Sequence, residues 1–257
     1  MAGAELAGRA RHFESQQGQV ATADRCQASV RLALPAVRRA AYDPRMPLPK
    51  LVLATGNPGK LREFQQLLDG CGFELVTPAQ LGVDFAPEET GATFEENAKI
   101  KALEAARACG LPALADDSGL EVDALGGRPG VVSARYAGDG RTDASLTDEQ
   151  RVDIVLAEME GVPPERRGAR FRCVIAVATP AGEMRTVEGV FEGRLGTAPR
   201  GENGFGYDPI FIVPELGVTS AELAPERKNE ISHRGKAARA ARELLKEMRI
   251  NRGERLN

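Results

Sequence analysis

Short apolar segments alternate with amphipathic segments along most of the chain. Residues 51–54 are a continuous apolar run, which predicts a strand, and apolar positions on one face predict a helix over residues 60–68. Residues 73–76 are a candidate second strand. Residues 93–109 open with the Thr-x-x-Glu pattern of a capping box, which predicts a second helix.

The second half of the chain carries the pattern of a hairpin. Two alternating segments, 171–177 and 187–191, flank a Pro-Ala-Gly turn at 180–182, so two paired strands are expected. A helix is predicted over 146–159, and Ser232 is placed to cap a closing helix. Helices that alternate with both short and hairpin-linked strands predict an α/β fold with a mixed sheet.

Two adjacent carboxylates, Asp116 and Asp117, end an apolar run at 111–115 and precede a Ser-Gly pair. Because neighbouring residues of a strand face opposite sides, we expect one carboxylate to enter a cleft and the other to support a turn, followed by a short strand over 120–124. A carboxylate at such a strand end suits Mg²⁺, which takes one or two protein carboxylates together with water and phosphate oxygens. The alternative is an ordinary Asp-Ser-Gly turn without a ligand.

Residues 55–60, Thr-Gly-Asn-Pro-Gly-Lys, connect the first predicted strand to the first helix. Such a turn offers backbone N–H groups and a helix N-terminus to a phosphate, and Lys60 adds a positive charge. The segment is not a Walker A loop, because its two glycines are too close together and Leu61 stands where that motif has Ser or Thr. A plain strand-to-helix turn is the alternative.

Glu88 and Glu89 form an acidic pair beside Gly91. A solvent-exposed turn is one interpretation of this pair. If it lies near Asp117, either glutamate can complete a Mg²⁺ site, in which the metal would bridge phosphate oxygens and neutralise their charge.

Basic residues gather near the last helix. Lys228 is followed by His233 and Arg234, which fall at the predicted helix N-terminus. A basic run is usually a solvent-exposed helix face. The helix dipole disfavours cations at that end, however, so an anionic or carbonyl-rich ligand would explain the cluster better. Arg234 offers a planar fork of donors to a base edge or a phosphate.

Residues 204–209, Gly-Phe-Gly-Tyr-Asp-Pro, form a glycine-rich segment. Its glycines permit a close approach of the backbone to a ligand, and Phe205 offers a flat face on which a planar base can stack. The alternative is a tight turn that simply buries Phe205.

Composition limits the remaining possibilities. The chain has 257 residues, of which 42% are hydrophobic and 28% are charged, the ordinary balance of a globular protein. A net charge of −3 gives no electrostatic support for a nucleic-acid partner. The four cysteines are widely spaced, which argues against a zinc site or a disulfide framework and fits a reducing cytoplasm. No apolar run is long enough to span a bilayer, so no membrane partner is expected.

Residues 1–45 differ from the rest, being rich in Ala, Arg and Gln. They lack the apolar core of a signal peptide, and their acidic residues count against a transit peptide. We expect a loosely ordered N-terminal extension, or sequence translated from an early start, because Met46 directly precedes the first predicted strand. Residues 46–257 are expected to form one folded domain.

Taken in order, these segments resemble the inosine triphosphate pyrophosphatase family, whose members remove deaminated purine nucleoside triphosphates. Several independent motifs in the family's order are a stronger signal than any one alone. The matching segments cover the chain from about residue 50 onward and are 53–60, 89–91, 94–98, 115–120, 129–130, 133–136, 204–209 and 232–235.

The resemblance implies a fold and an activity. The fold is an elongated mixed β-sheet flanked by helices, in two lobes with the active-site cleft between them. The family acts as a homodimer, requires Mg²⁺, and hydrolyses dITP, ITP and XTP to the monophosphate and pyrophosphate. This activity keeps deaminated purines out of DNA and RNA.

The resemblance also implies residue roles. Asp117 is the proton acceptor, and Glu89 and Asp117 are the Mg²⁺ ligands. The residues implied to bind the nucleotide are Thr55, Gly56, Asn57, Pro58, Gly59, Lys60, Ser118, Phe205, Gly206, Tyr207, Asp208, Lys228, His233 and Arg234.

Base selectivity follows from hydrogen-bond chemistry. Hypoxanthine and xanthine carry a carbonyl at position 6, where adenine carries an amino group. A site that offers only donors there, from Arg234 or backbone N–H groups, would reject adenine by leaving donors unpaired. Guanine shares the 6-carbonyl, and the sequence does not identify the residue that excludes its 2-amino group.

Two other functions compete with this one. A pyrophosphatase of the septum-formation (Maf) type would act on modified pyrimidines, dTTP or UTP, and the Asp117-Ser118 and His233-Arg234 pairs argue against it. A nucleotide sensor would bind without hydrolysis, and an intact set of metal-binding and proton-accepting carboxylates argues against that.

Overall fold

A mixed seven-stranded sheet forms the centre of the computed structural model, which describes residues 47–251. The strands in chain order are β1 (Lys50–Leu53), β2 (Glu74–Val76), β3 (Ala113–Val122), β4 (Gly168–Ala178), β5 (Met184–Leu195), β6 (Phe211–Val213) and β7 (Val218–Thr219). Across the sheet their order is β2-β1-β3-β4-β5-β6-β7, in which β1 is parallel to β2 and β3 and the other neighbours are antiparallel. The predicted α/β fold with a mixed sheet is confirmed. The extension expected over residues 1–45 lies outside the described residues.

Five α-helices flank the sheet in this part of the chain: α1 (Pro58–Leu67), α2 (Phe94–Cys109), α3 (Asp148–Glu158), α4 (Pro225–Ile231) and α5 (His233–Asn251). The capping box predicted at the start of α2 is present, and Ser232 caps α5 by accepting the Gly235 N–H at 3.1 Å. Helix α1 begins two residues earlier than predicted, because Pro58 suits the first helical position. Helix α4 and strand β7 have no sequence prediction, since seven and two residues are too few for a clear periodicity. Within residues 47–251, no helix combines the length and apolarity needed to cross a bilayer.

Strand β3 is continuous, so the predicted turn at Asp116–Gly119 and the separate strand over 120–124 are wrong. All ten residues of β3 are paired with residues of β4. This antiparallel ladder outweighs the turn tendency of the Asp-Ser-Gly sequence, which acts only locally. The hairpin predicted around residues 180–182 is confirmed, because β4 pairs with β5 along its length.

Strand β1 ends early beside β3. Val52 pairs with Ala113 and Leu53 with Leu114, whereas β3 continues to Val122. Strand β1 also has β2 on its other side, so strand order reverses at this point. In open α/β sheets, the crevice beyond the carboxyl end of a strand at such a switch is the usual ligand site.

The buried apolar side chains form three clusters. One cluster packs α1 and α5 against one side of the β1–β3 region, and a second packs α2 against the other side. The third joins the far ends of β3, β4 and β5 to α3.

Candidate active site

A cavity of about 440 Å³ opens at the carboxyl end of β1. This volume lies in the range of small-molecule sites. Most of the nucleotide-site residues implied by the resemblance border it, namely Thr55, Gly56, Asn57, Lys60, Glu89, Asp117, Ser118, Phe205, Gly206, Tyr207, Asp208, Lys228, His233 and Arg234. The two others, Pro58 and Gly59, form the first turn of α1. Residues that are up to 179 positions apart in the sequence thus share one cavity.

The turn before α1 satisfies part of its own hydrogen-bonding capacity. Asn57 Oδ1 accepts the N–H groups of Gly59 at 2.8 Å and of Lys60 at 3.1 Å. These two donors, expected from the sequence to face a phosphate, are therefore used by the helix cap. Lys60 Nζ lies 2.9 Å from Asp116 Oδ2. The helix dipole also attracts an anion here, whereas the Lys60 charge is shared with Asp116.

Lys101 joins two carboxylates at the edge of the cavity. Its Nζ lies 2.8 Å from Glu89 Oε1 and 3.0 Å from Asp117 Oδ1. Asn97 Nδ2 donates to the other Asp117 oxygen at 3.3 Å, and Arg135 Nη1 lies 2.8 Å from Glu89 Oε2. Both carboxylates are thereby held in fixed orientations by groups from α2 and the loop that follows β3.

The two carboxylates differ in acidity. Burial raises the pKa of Asp117, and the nearby charge of Glu89 adds to this effect against the opposing influence of Lys101. Burial also acts to raise the pKa of Glu89, but Lys101 and Arg135 together lower it. Asp117 is consequently the better proton acceptor of the pair at neutral pH.

The arrangement around Lys101 suits a hard divalent cation. Among residues 47–251, no three Asp, Glu, His or Cys side chains converge on a possible metal position. Glu89 and Asp117 nevertheless both contact one ammonium group, so a positive charge is stabilised between two carboxylates. Mg²⁺ needs only one or two protein carboxylates when phosphate and water oxygens supply the rest, so these residues fit it. Of the two candidate glutamates, Glu89 borders the cavity and Glu88 is exposed.

Asp116 faces the opposite side of β3 from Asp117, yet both border the cavity. The prediction that only one carboxylate would reach the site is therefore wrong, because β3 extends past the end of β1 and residues from both of its faces border the cavity there. Asp116 Oδ2 accepts a short hydrogen bond from the Ser118 hydroxyl and lies 3.8 Å from Arg234 Nη2. Burial acts to raise the pKa of Asp116, but Lys60, Arg234 and Lys101 lower it well below its usual range.

The basic cluster at the other end of the cavity has carboxylate partners within the protein. Lys228 Nζ lies 2.6 Å from Asp208 Oδ2 and 2.9 Å from Glu63 Oε1. Arg234 Nη1 lies 2.5 Å from Glu63 Oε2. The crowding of cations near the start of α5 is thus explained in part by Glu63 and Asp208, and not by a ligand alone.

His233 is buried at the start of α5. Its ring stacks on Phe171 with centroids 4.8 Å apart and planes at 17°. Burial lowers the pKa of His233 well below its usual range, and the neighbouring Arg234 and Lys228 lower it further. His233 is therefore neutral at physiological pH and adds no positive charge to the cluster.

Phe205 is half-buried and borders the cavity. Lys228 Nζ lies 5.2 Å and Arg234 Cζ 5.4 Å from its ring centroid. A Cβ atom at Gly59 would lie only 2.7 Å from Phe205 Cδ1, so the absence of a side chain there lets the ring approach α1. The ring is fixed between α1 and two cations while it still borders the open volume.

Asp208 and Tyr207 direct their polar atoms mainly to the protein. Asp208 Oδ2 accepts the Phe205 N–H at 2.9 Å as well as the Lys228 ammonium. The Tyr207 hydroxyl donates to the Ser133 carbonyl at 2.9 Å, and burial raises the pKa of that hydroxyl. These two residues hold the glycine-rich loop in place.

Several charged residues that border or support the cavity had no sequence prediction: Glu63, Lys101, Asp148 and Arg151, together with the contacts of Asp116. A signal for Lys101 exists in the sequence. Asn97 and Lys101 are four residues apart and lie on the buried, otherwise mainly apolar face of α2. A lysine on such a face needs a buried partner, which the pattern around Asp117 supplies.

The fold and cavity define an α/β protein with a charged cleft at a switch in strand order. The model of the Ham1 family matches residues 51–244, and the chain belongs to this family. It is 56% identical over 191 residues to a dITP/XTP pyrophosphatase of Methylococcus capsulatus, covering 74% of this chain and 92% of that protein. The Bacillus subtilis dITP/XTP pyrophosphatase is 49% identical to this chain over 194 residues, which cover 76% of this chain and 96% of that protein.

Solved structures agree with this assignment. A HAM1 protein from Coxiella burnetii matches with a TM-score of 0.70 and 45% identity, over 78% of this chain and all of that one. The Staphylococcus aureus Ham1 protein matches with a TM-score of 0.67 and 40% identity, over 77% of this chain and 99% of that one. The family resemblance seen in the sequence motifs is confirmed.

Proposed function

We propose that this chain hydrolyses ITP, dITP and XTP to the nucleoside monophosphate and pyrophosphate. The observation that carries the proposal is that one cavity holds Asp117, Glu89 and Lys101 together with the charged start of α1 and the Phe205–Arg234 cluster. The names of the relatives at about 50% identity support the same substrates.

Asp117 accepts a proton from the water that attacks the α-phosphorus. Its raised pKa favours this role, because a proton acceptor is most effective when its pKa approaches the working pH. Lys101 and Asn97 fix the two oxygens of the carboxylate, so the acceptor is oriented before the substrate binds. A fixed acceptor lowers the barrier mainly through positioning.

Glu89 and Asp117 would hold Mg²⁺, which when bound neutralises charge on the phosphate chain. The charges of the cavity favour the binding of Mg²⁺ together with the nucleotide. The lysines and arginines that border it all lie near protein carboxylates, as in the pairs Lys60–Asp116, Lys101–Asp117 and Lys228–Asp208. A triphosphate therefore meets a site with little uncompensated positive charge.

The two ends of the nucleotide are bound by different elements. Thr55 to Lys60 at the start of α1 bind the phosphates, with Lys60 balancing charge on the departing pyrophosphate. Phe205 stacks on the base. Arg234 donates a hydrogen bond to the 6-carbonyl of the base, and His233 and Lys228 bind the nucleotide beside it. Adenine is rejected because its amino group would face these donors.

We further propose, from the family resemblance, that the chain acts as a homodimer in the cytoplasm and binds neither nucleic acid nor membranes. The net charge of −3 is consistent with the absence of a nucleic-acid partner. Light scattering after size exclusion tests the dimer, whose mass would be twice the 27.5 kDa of one chain.

Product analysis with purified protein tests the central proposal. The substrates are ITP, dITP, XTP, GTP, ATP and dTTP, each with Mg²⁺ and with EDTA. We expect pyrophosphate and the monophosphate from the first three, little from the others, and no turnover in EDTA. Turnover chiefly of dTTP would favour a septum-formation type enzyme, and orthophosphate as the direct product would exclude attack at the α-phosphorus. Tight ITP binding without turnover would favour a sensor.

A further inference from the structure

Asp116 is the meeting point of groups from three different elements. Its Oδ2 lies 2.9 Å from Lys60 Nζ of α1 and accepts the hydroxyl hydrogen of Ser118 on β3. Ser118 Oγ in turn accepts a hydrogen bond of 3.2 Å from Arg234 Nη2 of α5. A continuous chain of polar contacts therefore runs from Lys60 through Asp116 and Ser118 to Arg234.

Two members of this chain of contacts, Asp116 and Arg234, are shielded from water, whereas Lys60 and Ser118 are partly exposed. Asp116 is 2% exposed and Arg234 is 2% exposed, so solvent and salt screen their interaction far less than that of a surface pair. Changes in charge at one end of a buried network are felt at the other end, because the effective dielectric constant there is low. Lys60 and Arg234 also lie at the two ends that bind phosphate and base in the proposed function.

The position of the Arg234 side chain depends on its distances to Glu63 and Asp116. Arg234 Nη1 contacts Glu63, whereas Nη2 lies 3.8 Å from Asp116 Oδ2, farther than the 2.9 Å between Lys60 and the same oxygen. Lys60 is thus the nearer of the two cations that pair with Asp116. If Lys60 were lost, Asp116 would attract Arg234 more strongly and draw it away from the base.

We propose that Asp116 is a positioning residue that couples the phosphate end of the cavity to base recognition. This inference rests on the proposed function, since it takes a purine nucleoside triphosphate as the ligand. It assigns no chemical step to Asp116. Its consequence is that Lys60, which lies at the phosphate end, influences the discrimination between 6-oxo and 6-amino purines.

The test measures equilibrium binding, so that it does not depend on turnover. Kd values for the α,β-methylene analogues of ITP and ATP are measured by calorimetry with Mg²⁺ for the wild type and Lys60→Met. We expect Lys60→Met to weaken both ligands and, in addition, to reduce the ITP-over-ATP preference about five- to tenfold, within the range of typical coupling between sites. An unchanged preference in Lys60→Met would overturn the proposal.

Asp116→Asn tests whether the effect passes through Asp116. In the Asp116→Asn background, Lys60→Met is expected to weaken both analogues equally and to leave their ratio unchanged. Asp123→Asn is the matched control, because Asp123 is an exposed carboxylate that directly follows β3 and pairs with Arg170. Lys60→Met should change the ratio in that background as it does in the wild type. A ratio that still changes in the Asp116→Asn background would contradict the route through Asp116.

A reciprocal measurement covers the possibility that Asp116→Asn does not fold. Inorganic tripolyphosphate has no base, yet Arg234→Gln should weaken its binding severalfold, because Asp116 would then hold Lys60 more tightly. Unchanged tripolyphosphate binding in Arg234→Gln would oppose the proposal. The wild-type product analysis separates this result from a failure of the proposed function: absent pyrophosphate release rejects the activity, whereas the Kd ratios reject or support the coupling.

Discussion

Lys101 Nζ lies 3.0 Å from Asp117 Oδ1, so helix α2 places a cation directly against the middle of β3. The same ammonium contacts Glu89, which makes Lys101 the link between the two carboxylates proposed to bind metal. Burial acts to lower the pKa of Lys101, but Asp117, Asp116 and Glu89 raise it, so the cation stays charged. The geometry of Asp117 therefore depends on a residue outside its own strand.

Asp117→Asn should abolish most turnover while the protein remains folded. The amide keeps the size and the Asn97 contact of the carboxylate but cannot accept a proton from water. We expect kcat for ITP to fall about a hundred- to ten-thousandfold, the usual contribution of general base catalysis. Pyrophosphate release measures the rate, and thermal unfolding checks the fold. Asp123→Asn serves as the control and should retain wild-type kcat; near-normal turnover in Asp117→Asn would show that Asp117 is not the proton acceptor.

Lys101→Met should destabilise the protein as well as inactivate it. The substitution leaves the buried Asp117 and the half-buried Glu89 without their shared cation. Breaking a buried ion pair in this way costs about 3–5 kcal/mol in the free energy of unfolding. Urea denaturation measures the change.

Lys99→Met provides the comparison for that experiment. Lys99 is on the same helix, is 41% exposed and pairs with Glu95, so its loss should change the free energy of unfolding by less than about 0.5 kcal/mol. Equal effects of the two substitutions would mean that the contacts of Lys101 with the carboxylates add little to stability.

The structure brings most of the candidate site residues to one cavity, whereas the strand that carries Asp116 and Asp117 was mispredicted. All of the nucleotide-site residues from Thr55 to Arg234 except Pro58 and Gly59 border this cavity, and they could be named because each motif is local and the order of the motifs indicates a known family. The course of β3 was mispredicted at Asp116, since its pairing with β4 joins residues about sixty positions away. Local turn chemistry contains no information about that ladder.

The ion pairs between residues far apart in the sequence were also not predicted. Lys228 and Glu63 are 165 residues apart and Arg234 and Glu63 are 171 apart, so no spacing rule connects them. Only the fold brings α1, α4 and α5 together. The buried position of Lys101 on α2, in contrast, could have been predicted, because a charged residue there falls on an otherwise mainly apolar helix face.

Gly119→Ala should destabilise the protein although Gly119 lies in a regular strand. A Cβ atom there would overlap the Gly130 carbonyl oxygen and Ser133 Oγ and would lie 2.9 Å from Phe94 Cε1. The backbone oxygen cannot move without displacing the turn that follows β3, so we expect a loss of about 1–3 kcal/mol in the free energy of unfolding. At Gly196 the nearest atom would be 3.4 Å from a new Cβ, so Gly196→Ala should be nearly neutral. Urea denaturation of both variants decides whether close packing explains the glycine.

His233 should make the protein less stable as the pH falls. Burial, Arg234 and Lys228 hold its folded-state pKa well below the usual 6.5, so below about pH 6.5 the unfolded chain binds more protons than the folded one. Stability must then decrease on acidification, by up to about 1.4 kcal/mol per pH unit between pH 6.5 and 5. Asp116 and Glu63 have lowered pKa values and act in the same direction, but only at a pH below the ordinary pKa of a carboxyl group.

The comparison that isolates His233 is His233→Gln, measured by urea denaturation at pH 7.5, 6.5, 5.5 and 5.0. The variant should be less stable than the wild type at pH 7.5, because it loses the contact with Phe171. Since glutamine cannot be protonated, the variant should then lose less stability than the wild type between pH 7.5 and pH 5. The difference between the two curves cancels the contributions of Asp117 and the other carboxylates, which both proteins share. Parallel curves would mean that His233 does not titrate differently in the folded and unfolded states, and a steeper curve for the variant would reverse the sign of its contribution.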